Sequence, residues 1–139
     1  MQGNYIDVLA KFDKKLFEAL APKGATMEIV AFTGSKKGDM VHIRFVKPFK
    51  ANWISDITDN GINNNEAYFI DQGRVVPFGI IYWQHKHIIK NLSPTTCQII
   101  DDISFKGVNF IWTLLLYPAL FIGFYPRKKI YKKYFGSIN

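Results

Sequence analysis

The chain has 139 residues, of which 48% are hydrophobic and 21% charged, proportions that fit one folded domain and exclude a disordered chain. A formal net charge of +7 leaves nucleic acid and anionic membrane surfaces as candidate partners. Cys97 is the single cysteine, which excludes an intrachain disulfide and a cage of thiolate metal ligands. The first residues include Asp7 and no apolar run of signal-peptide length, so we expect a cytoplasmic protein.

The predicted elements begin with a segment whose apolar residues recur at helical spacing from Ile6 to Leu20 and which ends near Pro22. We expect one or two short helices there. Turn residues then separate six predicted antiparallel strands, which are 26–33, 39–47, 51–58, 66–71, 78–90 and 95–105. An apolar stretch from Gly107 to about Phe135 predicts a long helix. The sequence therefore predicts a single α+β domain spanning residues 1–139.

Strand periodicity predicts which side chains of the last two strands face the core, because alternate residues share a face. The inward residues of the fifth strand are Ile81, Trp83, His85, His87 and Ile89, and those of the sixth are Cys97, Ile99, Asp101, Ile103 and Phe105. Two histidines and one aspartate are thus predicted to point into an otherwise aromatic and aliphatic interior.

Residues 107–126 contain no charge and lie between Lys106 and a basic run that begins at Arg127. Twenty such residues are long enough to cross a bilayer as a helix. Pro118 and Asn109 argue against a membrane span, and an antiparallel sheet with one apolar face needs a helix to cover it. We therefore expect a core helix without integral membrane insertion, and a membrane-associated helix is the alternative.

Several short motifs occur in a familiar order along the chain. They are Phe69-Ile-Asp71, Pro77-Phe78, Trp83-Gln-His85-Lys-His87, Asp101-Asp102 and, near the C-terminus, Tyr117-Pro118 with Arg127-Lys-Lys-Ile-Tyr131. This pattern resembles the START-like, or SRPBCC, superfamily, in particular its polyketide cyclase-like bacterial branch. The resemblance implies a helix-grip fold, in which a curved antiparallel sheet of six or seven strands wraps around a long C-terminal helix. It also implies a cavity between them for an apolar or amphipathic small molecule.

One departure from the family concerns the first strand, which in the family precedes the two short helices. Here only Met1-Gln-Gly3 precedes the helical segment, too few residues for that strand. Either the start is truncated or a sheet edge is left open. Because an open edge invites pairing with another chain, a homodimer through this edge is one expected partner arrangement.

The leading hypothesis is that the protein binds a hydrophobic or amphipathic small molecule. The candidate ligand-binding residues are Trp53, Phe69, Asp71, Phe78, Trp83, His85, His87, Asp101, Phe105 and Arg127. An imidazole oriented by a carboxylate also suits acid–base chemistry near neutral pH. His85, His87 and Asp101 are therefore the candidate catalytic residues of an alternative, a cyclase- or dehydratase-type enzyme.

Other site types have weaker support. His85 and His87 with a carboxylate resemble a zinc ligand set, but no third histidine or thiol accompanies them. No glycine-rich loop or cofactor motif occurs, so we expect neither a metal nor another cofactor. Tyr131 and its aromatic neighbours alternate with lysines as in stacking sites for nucleic acid, yet no nucleic-acid-binding motif is present and we expect no such partner. Arg127 either reaches an inward carboxylate or joins a solvated basic face.

Overall fold

The computed structural model of the chain describes residues 1–21, 25–47 and 49–136. Two short helices come first, α1 (Tyr5–Ala10) and α2 (Lys14–Ala19). Six strands follow, β1 (Thr26–Phe32), β2 (Met40–Lys47), β3 (Ala51–Ile62), β4 (Glu66–Val75), β5 (Ile80–Ser93) and β6 (Thr96–Gly107). The helices α3 (Phe110–Phe124) and α4 (Arg127–Phe135) complete the described chain. The predicted α+β class is confirmed, while the predicted helix end near Pro22 lies outside the described residues.

The six strands form one curved antiparallel sheet in which each strand pairs with the next along the chain. β3 and β4 both extend beyond their predicted bounds. The sequence predicts a turn through 59–61 and 63–65, and the structure places 59–61 inside β3. The second part of that prediction is confirmed, since the turn forms at Asn63, whose side-chain oxygen accepts hydrogen bonds from the backbone N–H groups of Asn65 at 2.8 Å and Glu66 at 3.0 Å. These hydrogen bonds between the short polar side chain of Asn63 and the nearby backbone stabilise the turn that connects β3 to β4.

The predicted inward position of Ile81 is wrong. A register shift between Ile80 and Tyr82 inserts an extra residue at the start of β5, so Ile80 is buried and Ile81 is 58% exposed. Beyond the shift, the predicted alternation holds, and Trp83 and His85 are both buried. The error affects only the start of β5. A bulge there changes which sheet face each side chain points to, and it leaves no clear pattern in the sequence.

The main core lies between the sheet and the helices α1, α2 and α4. Phe12 is at its centre, with ring centroids 5.8 Å from Phe69 on β4 and 6.1 Å from Tyr131 on α4. Leu16 on α2 is fully buried in the same cluster. A smaller second cluster forms where Leu116 of α3 packs near Trp83. Most of the buried apolar side chains therefore belong to the end of the molecule that α3 does not cover.

The C-terminal helical region differs from the prediction in two ways. First, the single long helix is divided at Tyr125–Pro126, where Pro126 occupies the position before the first residue of α4 without a side-chain capping hydrogen bond. Second, α3 is not surrounded by the sheet: within α3, all of which the structure describes, Leu116 alone is buried. The expectation of a mostly buried core helix is wrong, because α1, α2 and α4 cover much of the apolar sheet face and α3 packs along one side only.

Residues 1–3 pair with the beginning of β6. The backbone N–H of Cys97 donates to the Met1 carbonyl at 2.9 Å, and Gly3 donates to the Thr95 carbonyl at 2.8 Å. Gln2 and Thr96 form a single antiparallel bridge. Farther along β6, from 98 to 106, no strand within the described ranges pairs with its outer edge.

Candidate functional site

Four titratable side chains meet on the inner face of three adjacent strands. The register places Asp71 on β4 opposite His85 on β5, and His87 on β5 opposite Asp101 on β6. Both imidazoles are almost fully buried, with 3% of His85 and 1% of His87 exposed. Period-two alternation along each strand therefore brings two acids and two histidines into one cluster within the sheet.

The hydrogen bonds within this His–Asp cluster run diagonally between the strands. His87 Nε2 donates to Asp71 Oδ2 at 2.6 Å, and His85 Nε2 donates to Asp101 Oδ1 at 2.9 Å. Each Nδ1 lies 3.7 Å from a carboxylate oxygen of the other aspartate. The two imidazole rings stack with centroids 3.7 Å apart, and Phe69 stacks on the other face of His87 at 4.2 Å. Packing and hydrogen bonds thus fix both ring orientations.

α4 adds a guanidinium and a phenol to the cluster. Arg127 Nη1 donates to Asp101 Oδ1 at 3.3 Å, and its side chain is only 13% exposed. The Tyr131 hydroxyl donates to the same oxygen at 3.4 Å. The guanidinium carbon lies 4.5 Å from the centre of the Phe124 ring, a cation–π distance. The sequence left two hypotheses for Arg127, and the structure confirms the one in which it contacts an inward carboxylate, that of Asp101.

Burial and the neighbouring charges act in opposite directions on the pKa values of the two aspartates. Burial acts to raise the pKa of Asp101, but the hydrogen bond from His85 and the charge of Arg127 outweigh it and hold the pKa below its usual range. The pKa of Asp71 is likewise lowered, because the hydrogen bond from His87 and nearby positive charges outweigh burial. Both carboxylates are therefore ionised at neutral pH.

His87 behaves differently from its acidic partners. Burial, with the charge of His85, lowers its pKa to about 4, although the hydrogen bond to Asp71 acts in the other direction. At neutral pH the ring is therefore uncharged and carries its proton on Nε2, which donates to Asp71. Nδ1 is then a lone-pair acceptor, and it is buried without a hydrogen-bond partner among the described residues. An unpartnered buried acceptor is rare and marks a place where a ligand or water donor would be stabilised.

Asp71, His85 and His87 also have ligand atoms that all lie within 4.8 Å of one another. Imidazole and carboxylate are donors that zinc accepts. At 2.6 Å, the His87–Asp71 hydrogen bond uses Nε2 of His87, so the nitrogen of this ring that a metal could use is the unpartnered Nδ1. The described contacts are those of a hydrogen-bonded cluster, in which each histidine Nε2 donates to a carboxylate.

A cavity of about 550 Å³ lies between the sheet and the inner side of α3. Its wall is mainly apolar and comes from β1–β3, β5, the end of α2 and α3, with Asp71 of β4 and Arg127 of α4. Seven of the ten predicted ligand-binding residues line it, namely Trp53, Asp71, Phe78, Trp83, His85, His87 and Arg127. The His–Asp cluster therefore lies at the wall of this cavity, and its volume is in the range typical of small-molecule sites.

The other three predicted residues are not in the cavity wall. Phe69 packs behind His87 in the main core, and Phe105 packs against Tyr117 at a ring distance of 4.8 Å. Asp101 lies on the other side of the cluster, where it holds His85 and Arg127. Each of them contacts a residue of the cluster or of α3, and their role in ligand binding stays a prediction.

Sequence analysis did not identify the cavity residues of α3 or the role of Tyr131. Leu116, Leu120 and Phe124 line the cavity at helical spacing, a signal that was present but indistinct because the whole segment is apolar. Tyr131, considered for stacking on nucleic acid, is buried and unavailable for that role. Its spacing of four residues from Arg127 places both on one helix face, which is the pattern that would have revealed it.

The cavity mouth has a strained turn. Phe78 adopts a φ of 63°, which is unusual for a bulky residue, and Gly79 follows with a φ of 71°. Trp112 Nε1 donates to the Phe78 carbonyl at 2.7 Å and so holds this turn against the first turn of α3. Phe78 and the exposed Phe49 both line the cavity at this end. Aromatic side chains therefore surround the opening.

Comparison with known proteins does not identify this chain: no family model, no curated protein and no solved structure matches it.

Proposed function

We propose that the protein binds an amphipathic small molecule in the cavity between the sheet and α3. The observation that carries this proposal is an apolar cavity of about 550 Å³ with a buried cluster of hydrogen-bonding side chains in its wall. Sites for small molecules combine a mainly apolar lining with a few fixed polar groups in this way. The apolar part of the ligand would contact Trp53, Trp83 and the inner side of α3.

The polar end of the ligand would lie at the His–Asp cluster. Ser55, His85, Asp71 and Arg127 all line the cavity, and they offer both donors and acceptors of hydrogen bonds. Their orientation is fixed by mutual contacts before a ligand enters, which lowers the entropy lost on binding. A hydroxyl, carbonyl or carboxylate at the end of an apolar body has the chemistry that these groups accommodate.

We also propose that the fold is a START-like helix-grip variant. Support comes from the order of the elements, with two short helices, a meander of antiparallel strands and a C-terminal helix. The motif residues Trp83, His85 and His87 line the cavity. In this variant α3 would form one wall of the binding site and would not be enclosed by the sheet.

All three tryptophans of the chain line the cavity, so their fluorescence reports on its contents. We expect dodecanol and dodecanoate, titrated below their aggregation concentrations, to shift this emission with saturation. Gly123→Leu should weaken the binding at least about tenfold, or about 1.4 kcal/mol. The reason is that a Cβ at Gly123 meets nothing within 4 Å and extends into the cavity. The melting temperature should not fall, since leucine is a better helix former than glycine.

The matched control is Ala10→Leu, which adds a large side chain to the exposed end of α1 away from the cavity. It should bind both probes like the unmodified chain. Saturable binding that Gly123→Leu leaves unchanged would contradict a site between the sheet and α3. Native mass spectrometry of protein purified from its own host without detergent would then identify the natural ligand as a retained mass.

A second candidate function, acid–base catalysis on a bound carbonyl or phenol, is favoured by the unpartnered Nδ1 of His87. Because this ring is neutral at pH 7, Nδ1 can accept a hydrogen bond from a bound group, and as a weak base with a pKa of about 4 it would hold that group's proton only transiently. We expect a ligand extracted from the host protein to change mass when incubated with the protein, and not with His87→Gln. Gln84→Ala, on the opposite face of β5, is the control. A ligand of unchanged mass in every sample would exclude dehydration or any other mass-changing turnover of that ligand, and unchanged chromatographic retention would exclude isomerisation.

A further inference from the structure

The outer face of α3 is apolar and exposed. Nine large side chains of this region are each between 39% and 75% exposed, and two of them, Trp112 and Leu115, lie at its edge and also line the cavity: Phe110, Ile111, Trp112, Leu114, Leu115, Tyr117, Phe121, Ile122 and the following Tyr125. Isolated exposed apolar residues are ordinary, but a contiguous patch of this kind marks a surface that meets something other than water. The helix is apolar on its inner side as well, so its composition fits an environment that is apolar on both sides.

This apolar face continues to the mouth of the cavity. Trp112 joins it to the Phe78 turn through the hydrogen bond to the Phe78 carbonyl. Phe49, which is exposed at the same opening, and Leu115 both line the cavity. A surface that covered α3 would therefore lie next to the entrance through which a small molecule reaches the His–Asp cluster.

Positive charge accompanies the apolar face. The outer side of α4 exposes Lys128, Lys129, Lys132 and Lys133. Lys47 and Lys50 are exposed on either side of Phe49 near the mouth. No acidic residue occurs after Asp102 in the sequence, so neither α3 nor α4 carries an acid to balance these lysines. The partner surface that complements them is anionic as well as apolar.

We propose that the outer face of α3, with the lysines of α4, docks on the surface of an anionic lipid bilayer. Leucine, isoleucine and phenylalanine side chains would enter the acyl boundary, as in helices that lie in the membrane plane. Trp112, Tyr117 and Tyr125 suit the headgroup region, because their rings combine an apolar body with a polar atom. The lysines would contact anionic headgroups, an attraction that salt screens.

The packing of α3 favours docking over spanning. By length and composition alone, the 26 residues from Phe110 to Phe135 could cross a membrane as a helix. Leu116, Leu120 and Phe124 pack near Trp83, and Arg127 just beyond the helix binds Asp101. Spanning would remove these contacts. Pairing with a second copy through the same face would leave the α4 lysines without a counter-charge, because neither α3 nor α4 carries an acid, whereas an anionic surface supplies one.

The test is flotation with vesicles of phosphatidylcholine alone and of phosphatidylcholine with 30% phosphatidylglycerol. We expect binding to the anionic vesicles to be at least about tenfold tighter and to weaken as salt increases. Ile111→Glu with Ile122→Glu should abolish it. The matched control, Val30→Glu with Ile62→Glu, changes two exposed apolar residues of the sheet and should bind normally.

A second pair of variants separates charge from apolar contact. Lys129→Glu with Lys133→Glu should weaken binding to anionic vesicles at least about tenfold, while Lys36→Glu with Lys37→Glu, of equal net charge, should not. Gly123→Leu should bind vesicles normally, so failure of the cavity proposal remains distinguishable from failure of this one. Absence of vesicle binding, resistance to alkaline extraction as for a spanning helix, or dimers abolished by the Ile111 and Ile122 changes would each overturn the proposal.

Discussion

Lowering the pH from 7 to 4 is expected to decrease the free energy of unfolding by about 3 kcal/mol through His87 alone. Its pKa falls from 6.5 to about 4 on folding, because the imidazole is buried beside His85. Between these values the unfolded chain binds a proton that the folded chain does not, so stability decreases as pH falls. Below about pH 4 the lowered pKa values of Asp71 and Asp101 add a further loss in the same direction.

Urea unfolding at half-unit pH steps measures this slope. His87→Gln removes the titrating group and should flatten the slope between pH 6.5 and 4, although it lowers stability at pH 7. Ile89→Val, two residues along the same buried strand face, should lower stability by about 1 kcal/mol at every pH and keep the slope. An unmodified slope in His87→Gln would show that His87 is not the buried neutral group that this geometry requires.

Arg127→Ala is expected to lower the free energy of unfolding by about 3 kcal/mol, because it leaves Asp101 buried without its guanidinium partner. The two groups are 3.3 Å apart, with side-chain exposures of 13% and 18%. The substitution also removes the cation–π contact with Phe124. A decrease of roughly 10 °C in Tm should accompany this loss.

Lys132→Ala is the matched control for Arg127→Ala, since it removes a basic side chain from the exposed face of the same helix. It should leave the free energy of unfolding almost unchanged. Arg127→Lys should recover part of the loss, because an ammonium restores the charge without the planar donor geometry. Equal melting temperatures for Arg127→Ala and Lys132→Ala would show that the Asp101 contact does not stabilise the fold.

The His87 and Arg127 predictions test two different groups of the same His–Asp cluster. His87 stays neutral because it is buried, and Asp101 stays charged because Arg127, His85 and Tyr131 surround it. A site with one neutral acceptor and two fixed carboxylates can bind a polar group without first rearranging. The cluster therefore connects stability to the proposed binding site, and variants that weaken one should be checked for the other.

Local patterns in the sequence were enough to predict the inward positions of His85, His87 and Asp101. Side chains alternate between the two faces of a sheet because of the backbone geometry of a strand. Once a strand and its core-facing side are assigned, the inward residues therefore follow. The pattern also predicted one or two short helices, of which the structure has two, and all six strands, with errors at strand ends. The shift at Ile80 was missed, and residues 59–61 of β3 were wrongly assigned to the turn, because bulges change register without altering composition.

Tertiary structure alone decided how the elements combine. The contact between Arg127 and Asp101 joins residues 26 positions apart, and it depends on where α4 crosses the sheet. The division between cavity wall and core, which separates His85 from Phe69, follows from the sheet curvature and the N-terminal helices. The sequence by itself determined that α3 would be apolar all round, but not which side would be covered. A helix that is apolar on every face carries no directional pattern, so only packing against the sheet selects the side that remains exposed.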